Sequence, residues 1–179
     1  MNRDHINVLN ILGLLGLSFV LLMGLVFQVV LSELPCPLCL LQRIGFVMMM
    51  FGFMLNVKYG AAQRHYGVIL LGALFGAVTA LRQISLHVIP GTPAYGSPIF
   101  GMHYYTWAFV IFSLAILGVA ILLILWKEEW QSQGFKMTRF GCWVSVLALA
   151  AVGLNLLSTF VECGPFECPA DPTSYWLLN

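Results

Sequence analysis

Long apolar stretches recur along the chain, and the short segments between them contain most of its polar residues. Each stretch is long enough for a helix that crosses a bilayer, which needs roughly 20 residues. The pattern therefore predicts an all-α fold: a polytopic membrane helical bundle with five transmembrane helices, in a single domain over residues 1–179. The predicted helices cover residues 7–31, 37–57, 66–86, 105–126 and 139–161, and an outer C-terminal tail covers residues 162–179.

Composition and charge agree with a membrane protein. Hydrophobic residues make up 60% of the chain and charged residues only 8%, with a net charge of +1. This is too apolar for a soluble domain, so membrane lipid is the expected surrounding. So few charges cannot form a basic surface, which excludes nucleic acid as a partner. The first apolar stretch is expected to be a retained helix rather than a signal peptide, since no small-residue cleavage site follows it.

The lysine and arginine residues predict the orientation through the positive-inside rule. Arg43 and Arg82 fall toward one face, near helix ends. The remaining basic residues fall on the other side, in the tail, the loops or the helix flanks, and are Arg3, Lys58, Arg64, Lys127, Lys136 and Arg139. The N-terminus is therefore expected inside the cell and the C-terminus outside.

The five cysteines divide between the two faces of the predicted bundle. Cys36 and Cys39 lie at the outer end of the second helix, and Cys163 and Cys168 lie just beyond the outer end of the fifth. Both pairs are thus expected on the oxidising side, where disulfides persist. Cys142 lies near the inner end of the fifth helix and is expected to be a buried structural thiol.

The first pair lies in the segment LPCPLCLLQRIGF. Pro37 suits the first helical position, which makes Cys36 the N-cap and places Cys39 in the first turn, near free backbone N–H groups. Arg43 lies on the same stripe of the helix and would stabilise a thiolate or an anionic acceptor. Redox chemistry is the favoured interpretation. A structural disulfide with a snorkelling arginine is an alternative, and a zinc site built from both pairs is less favoured, because the pairs end two separate helices.

The second pair lies in the segment ECGPFECP. Its Gly-Pro dipeptide predicts a tight turn that brings Cys163 and Cys168 within disulfide reach. A ring over so few residues restrains the unfolded chain little, so this disulfide suits exchange better than stapling. Tyr175 and Trp176 in the apolar tail are expected to rest on the membrane surface.

A third polar group lies at the outer end of the third helix. Arg82, Gln83 and His87 are near membrane depth, where ionisable residues are costly and tend to be functional. His87 is a candidate to donate a hydrogen bond to a carbonyl ligand or to carry a proton. The aromatic residues at the start of the fourth helix are expected to form an interfacial belt.

These motifs resemble the bacterial disulfide-bond-formation protein B (DsbB) family. The resemblance covers roughly Asn7 to Trp126 and includes an Arg-Gln-x-x-Leu-His-x-x-Pro-like segment after the third helix, but its most specific part is CPLCLLQR. It implies a multi-pass inner-membrane enzyme that reoxidises a periplasmic thioredoxin-like dithiol oxidase, DsbA-like, and passes the electrons to ubiquinone or menaquinone. By this resemblance Cys36 and Cys39 are the quinone-proximal pair, and Arg43 contacts the quinone.

The chain departs from the family pattern in its second cysteine pair. That pair usually lies in the outer loop between helices three and four, whereas here residues 84–106 contain no cysteine. We expect Cys163 and Cys168 to take its place, which makes this chain a divergent member with a catalytic relay from the C-terminal pair to Cys36 and Cys39. Beside Arg43, the quinone-binding candidates are His87 and Arg82.

Two other functions remain open at this point. An enzyme resembling vitamin K epoxide reductases shares a helical bundle, a membrane-end Cys-x-x-Cys and a second outer pair, but reduces a quinone or its epoxide as the physiological goal. A non-enzymatic membrane scaffold with two structural disulfides would carry the same cysteines.

Overall fold

Five long α-helices form the protein in its computed structural model, which describes residues 2–89, 91, 94–131, 136–169, 172 and 174–178. In this part of the chain, five helices are long and apolar enough to cross a membrane, which confirms the predicted all-α fold with five helices able to span a bilayer. The helices are α1 (Arg3–Val30), α2 (Pro37–Tyr59), α3 (Gln63–His87), α4 (Tyr104–Ile124) and α5 (Arg139–Cys163). The predicted tail is described except for residues 170, 171, 173 and 179.

The helix boundaries follow local capping chemistry. Helix α2 begins at Pro37, and the Cys36 sulfur accepts a hydrogen bond from the backbone N–H of Cys39. Helix α5 begins after Thr138, whose side chain accepts a hydrogen bond from a backbone N–H in the first turn. It ends at Cys163 and is followed by Gly164, whose φ of +62° lies in the left-handed region that favours glycine.

Small residues let α2, α3 and α4 pack closely at the centre of the bundle. A Cβ atom at Gly72 would lie 2.9 Å from the backbone nitrogen of Met49 and 3.1 Å from the carbonyl oxygen of Gly45. At Gly76 it would lie 2.1 Å from the ring of Phe112. Such close approach between backbones is typical of membrane helices, which gain packing rather than hydrophobic energy on association. The packing fixes the start of α2 beside the end of α3.

Helix α5 packs mainly against α1 and buries one stripe of its surface. The stripe includes Ala148, Ala151 and Asn155, and the Asn155 side-chain amide donates to the Leu21 carbonyl oxygen at 3.4 Å. Cys142 lies off this stripe and is exposed, so the expectation of a buried thiol there is wrong. The reason is that α5 contacts the bundle on one side only.

A buried polar network ties α1, α2 and α3 together at the end of the bundle away from the cysteine pairs. Asn10 accepts hydrogen bonds from the Asn56 side-chain amide and the Tyr66 hydroxyl, both at 3.0 Å. The His65 ring lies 3.0 Å from Asn56 Oδ1. Because polar groups buried among apolar helices are costly unless paired, this network stabilises the three-helix core.

Candidate functional site

Five helix ends meet at one end of the bundle and carry both cysteine pairs. Hydrogen bonds join the end of α1 to the start of α2, and the start of α2 to the end of α3. A further bond joins the end of α1 to the segment after α5. The alternation of up and down helices therefore brings residues from distant parts of the sequence into one polar cluster.

The first cysteine pair is held by a glutamine from α3. The Gln83 side-chain amide donates to Cys36 Sγ at 3.3 Å and to Cys39 Sγ at 3.5 Å. Its oxygen accepts a hydrogen bond of 2.6 Å from the amide of Gln42, so its orientation is fixed. Both cysteines are free thiols, Cys36 buried and Cys39 half-buried. Gln83 thus positions both sulfur atoms.

Cys36, which lies just before α2, is the protonated member of the reduced pair. Its hydrogen bond with the Cys39 side chain, together with its burial, raises the pKa of the Cys36 thiol well above the ordinary value. The backbone N–H of Cys39 acts in the opposite direction but does not offset these two effects. The arrangement therefore leaves Cys39 as the sulfur that carries charge.

A largely apolar cavity of about 420 Å³ opens beside Cys39. It lies between α1, α2 and α4 and beneath the segment 94–102. Cys39, Arg43 and Gln28 contribute polar groups to its wall. Its apolar wall includes Phe19, Met23, Phe27, Phe46, Trp107 and Ile111. A flat apolar molecule with a few polar atoms is the kind of ligand that fits such a wall.

Arg43 lines this cavity and has one donor without a partner among the described residues. Its Nη2 donates to Gln28 Oε1 at 3.1 Å, whereas its Nη1 is buried without a hydrogen-bond partner among the described residues. Gln28 in turn donates to the hydroxyl of Tyr175 at 3.4 Å. One side of the guanidinium is therefore fixed to the protein, and the other remains for a ligand oxygen.

The segment before α2 holds the cavity's outer wall. The Glu33 carboxylate accepts hydrogen bonds from the backbone N–H of Ser97, at 2.9 Å, and from its hydroxyl. The Tyr95 hydroxyl donates to the Leu34 carbonyl oxygen. These bonds keep the segment 94–102 over the cavity.

The second cysteine pair forms a disulfide directly after α5. The Cα atoms of Cys163 and Cys168 are 4.9 Å apart. The tail folds back over this ring: Trp176 packs against Gly164, and its ring centroid lies 5.6 Å from that of Phe166. In the described part of the chain the four cysteines do not form one metal-binding cluster. The contact of the tail aromatics with a membrane surface stays a prediction.

Two residues predicted from the sequence to bind a cofactor lie outside the cavity wall. Arg82 is exposed, and its neighbour Gln83 faces the cysteines instead. His87 stacks on Tyr105 at a centroid distance of 5.4 Å, and Tyr105 itself lines the cavity. Ligand contacts by Arg82 and His87 remain predictions.

Four polar residues that the fold brings to this end of the bundle were assigned no role from the sequence. Gln28, Gln42 and Glu162 were not singled out, and Gln83 was noted without a role. The signal was present in each case, because a buried polar residue within an apolar helix is costly and tends to be functional.

Comparisons with known proteins point to one family. The family model described as disulfide bond formation protein DsbB matches residues 6–154. Disulfide bond formation protein B of Nitrosomonas eutropha (strain DSM 101675 / C91 / Nm57) is 35% identical over 82 residues, which are 44% of this chain and 47% of that protein. The chain thus matches about half the length of this curated relative. No solved structure matches the chain. The family match ends before Cys163 and Cys168.

Proposed function

The chain belongs to the family of disulfide bond formation protein DsbB, and we propose that it is a thiol:quinone oxidoreductase of the bacterial inner membrane. In this role it reoxidises a periplasmic thioredoxin-like dithiol oxidase, DsbA-like, and passes two electrons to ubiquinone or menaquinone. The single observation that carries the proposal is that a free thiol, Cys39, and the cation Arg43 line the same apolar cavity.

The cavity fits a quinone on three counts. Its wall is largely apolar and aromatic, as a quinone ring requires. The Arg43 Nη1 donor is buried without a partner among the described residues and suits a quinone carbonyl oxygen. Cys39, unlike Cys36, lies in the wall, so its sulfur has access to the ring. When bound, the quinone supplies a two-electron acceptor.

Each residue of the first pair has a distinct task. Cys36 keeps its proton, and Cys39 faces the cavity as the reactive sulfur. The side-chain amide of Gln83 donates to both sulfur atoms and so keeps them close together, which favours formation of the disulfide. Arg43 stabilises negative charge on Cys39 or in the cavity beside it.

The second pair accepts electrons from the protein partner. A partner thiolate attacks the Cys163–Cys168 disulfide, and the mixed disulfide resolves into oxidised partner and a dithiol here. That dithiol then reduces the Cys36–Cys39 disulfide. Because both pairs are tethered at one end of the bundle, this second exchange is intramolecular, which gives it a high effective concentration.

The membrane orientation completes the proposal. The positive-inside rule places the N-terminus in the cytoplasm and both cysteine pairs on the periplasmic side. On that side the partner has access to Cys163 and Cys168, and disulfides persist.

Purification from membranes tests this function. We expect the protein in mild detergent to co-purify with quinone in a roughly 1:1 ratio, identified after solvent extraction. A dithiol should then convert the quinone absorbance to that of the quinol. If no quinone co-purifies, none is reduced on addition and both cysteine pairs resist mild reductant, the chain is a scaffold. A marked preference for a quinone epoxide would favour the activity of vitamin K epoxide reductases.

A further inference from the structure

A carboxyl group is buried in the last turn of α5. Glu162 is 2% exposed, and neither of its carboxylate oxygens has a hydrogen-bond partner among the described residues. The other described Asp and Glu residues lie outside the core. An unpaired carboxyl at membrane depth is costly, so its retention calls for a function.

Glu162 lies at the cysteine end of the bundle, where hydrogen bonds from Arg43 to Gln28 and from Gln28 to Tyr175 join the start of α2 to the segment after α5. Both Arg43 and Cys39 on α2 interact electrostatically with Glu162. Arg43 also has a buried Nη1 without a hydrogen-bond partner among the described residues. Glu162 is not part of the cavity wall, so its influence passes through these two groups.

Among the residues that the structure describes, the other elements packed around Glu162 add little charge. The half of α1 that reaches this end carries no charged residue, and its polar side chain there is Gln28. The tail contributes Tyr175, and the start of α2 contributes Cys36, both of which interact with Arg43. In the described part of the chain, one cation, Arg43, therefore stabilises two groups that can become anions, Glu162 and Cys39.

A buried set of this kind favours a net charge of zero. When Cys36 and Cys39 form a disulfide, the ionised Glu162 balances Arg43. When the pair is reduced and Cys39 carries the negative charge, Glu162 must hold a proton to keep the set neutral.

We propose that Glu162 is a proton-holding and positioning residue, which takes up one proton when the Cys36–Cys39 disulfide is reduced and releases it when the disulfide re-forms. The inference rests on the proposed function and deepens it by accounting for the protons. It concerns a residue beyond position 154, where the family match ends.

The step balances in electrons, protons and charge. The reduced set contains the Cys36 thiol, the Cys39 thiolate, the Glu162 carboxylic acid and the Arg43 cation, with a net charge of zero. Forming the S–S bond removes two electrons and two protons, one from Cys36 and one from Glu162. The oxidised set contains the disulfide, the Glu162 carboxylate and the Arg43 cation, again with a net charge of zero. Two electrons and two protons are what a quinone takes up on reduction to a quinol.

Infrared difference spectroscopy on quinone-free protein tests this proton uptake without any turnover. The Cys163→Ser, Cys168→Ser variant isolates the Cys36–Cys39 couple. We expect a carboxylic-acid C=O band to appear on reduction, to be lost in Glu162→Gln and to persist in Glu162→Asp. The matched control is Glu167→Gln, which changes an exposed carboxyl and should keep the band. A band unchanged in Glu162→Gln, or no band in the parent protein, would overturn the proposal.

The pH dependence of Cys39 alkylation is a second measurement. A purely structural role of Glu162 would leave this pH dependence unchanged. In Glu162→Gln no carboxylate competes for Arg43, so the guanidinium stabilises the Cys39 thiolate alone. Alkylation of Cys39 should therefore persist to a pH lower by about one unit. An alkylation profile equal to that of the parent protein would contradict the sharing of Arg43 between Cys39 and Glu162.

Both measurements omit quinone, so they are independent of the proposed function. Loss of quinone reduction with an intact infrared band would contradict the proposed function only. Normal quinone reduction without the band would defeat this inference only.

Discussion

Replacing Cys39 with serine is expected to abolish quinone reduction with every electron donor. Cys39 is the cysteine of the first pair that lines the cavity, and a serine hydroxyl forms no disulfide with Cys36. The loss should be at least about 1000-fold, as for removal of an essential nucleophile. The measurement is the rate of quinone absorbance change on addition of a dithiol, with protein folding checked by thermal unfolding in detergent.

The matched control for this variant is Cys142→Ser. Cys142 is exposed near the start of α5, at the other end of the bundle, so its removal should leave the rate unchanged. In the Cys39 variant, Cys36 keeps its thiol and should trap a mixed disulfide with the C-terminal pair, visible on a non-reducing gel. Substantial quinone reduction by Cys39→Ser would show that another sulfur faces the quinone.

Replacing Arg43 with alanine should lower the quinone reduction rate by about 100-fold, the usual cost of removing a donor that stabilises developing charge. The guanidinium is fixed by Gln28 on one side, its Nη1 has no partner among the described residues, and Arg43 lines the cavity. Arg43→Lys should keep part of the activity, because the charge remains while the planar fork is lost. The measurement is the steady-state rate over a range of quinone concentrations.

Arg64→Ala is the matched control for the loss of a positive charge. Arg64 is exposed at the opposite end of the bundle, in the first turn of α3. Its replacement should leave the rate and the apparent quinone affinity as they are. An Arg43→Ala protein with an unchanged rate and affinity would remove Arg43 from the mechanism.

Local rules predicted much of the first cysteine site. Pro37 and the Cys-x-x-Cys spacing predicted a helix start with Cys36 as its cap, and the structure has this cap. The boundaries of α1 and α3 were less accurate, since both helices begin earlier than predicted, at Arg3 and Gln63. Polar residues continue each helix beyond its apolar stretch, and hydropathy alone does not detect this extension.

The inward face of α3 was harder to predict. Arg82 was predicted to bind the quinone because it is charged. Adjacent residues on a helix point in directions about 100° apart, so Arg82 and Gln83 cannot both face the core. The buried stripe runs through Gly76 and Ala80 to Gln83 at spacings of three and four. This stripe is visible in the sequence and favours Gln83 over Arg82 as the inward residue.

The role of the tail depended on long-range contacts. Gln28 and Tyr175 are separated by 147 residues, and their hydrogen bond brings the disulfide-bearing segment near Arg43. No local pattern predicts such a pair. Glu162 is visible in the sequence as a carboxyl in an apolar helix, but its burial depends on how α5 packs on α1.

Donor selectivity of the Cys163→Ser, Cys168→Ser variant tests the two-step relay most directly. The measurement compares quinone reduction driven by a reduced thioredoxin-like oxidase with reduction driven by a small dithiol such as dithiothreitol. The relay predicts that the variant fails with the protein donor, because the acceptor disulfide is gone, but still reduces quinone with the small dithiol, which reaches Cys36 and Cys39 directly. Full oxidation of the protein donor by this variant would show that the C-terminal disulfide is structural, and it would contradict the relay.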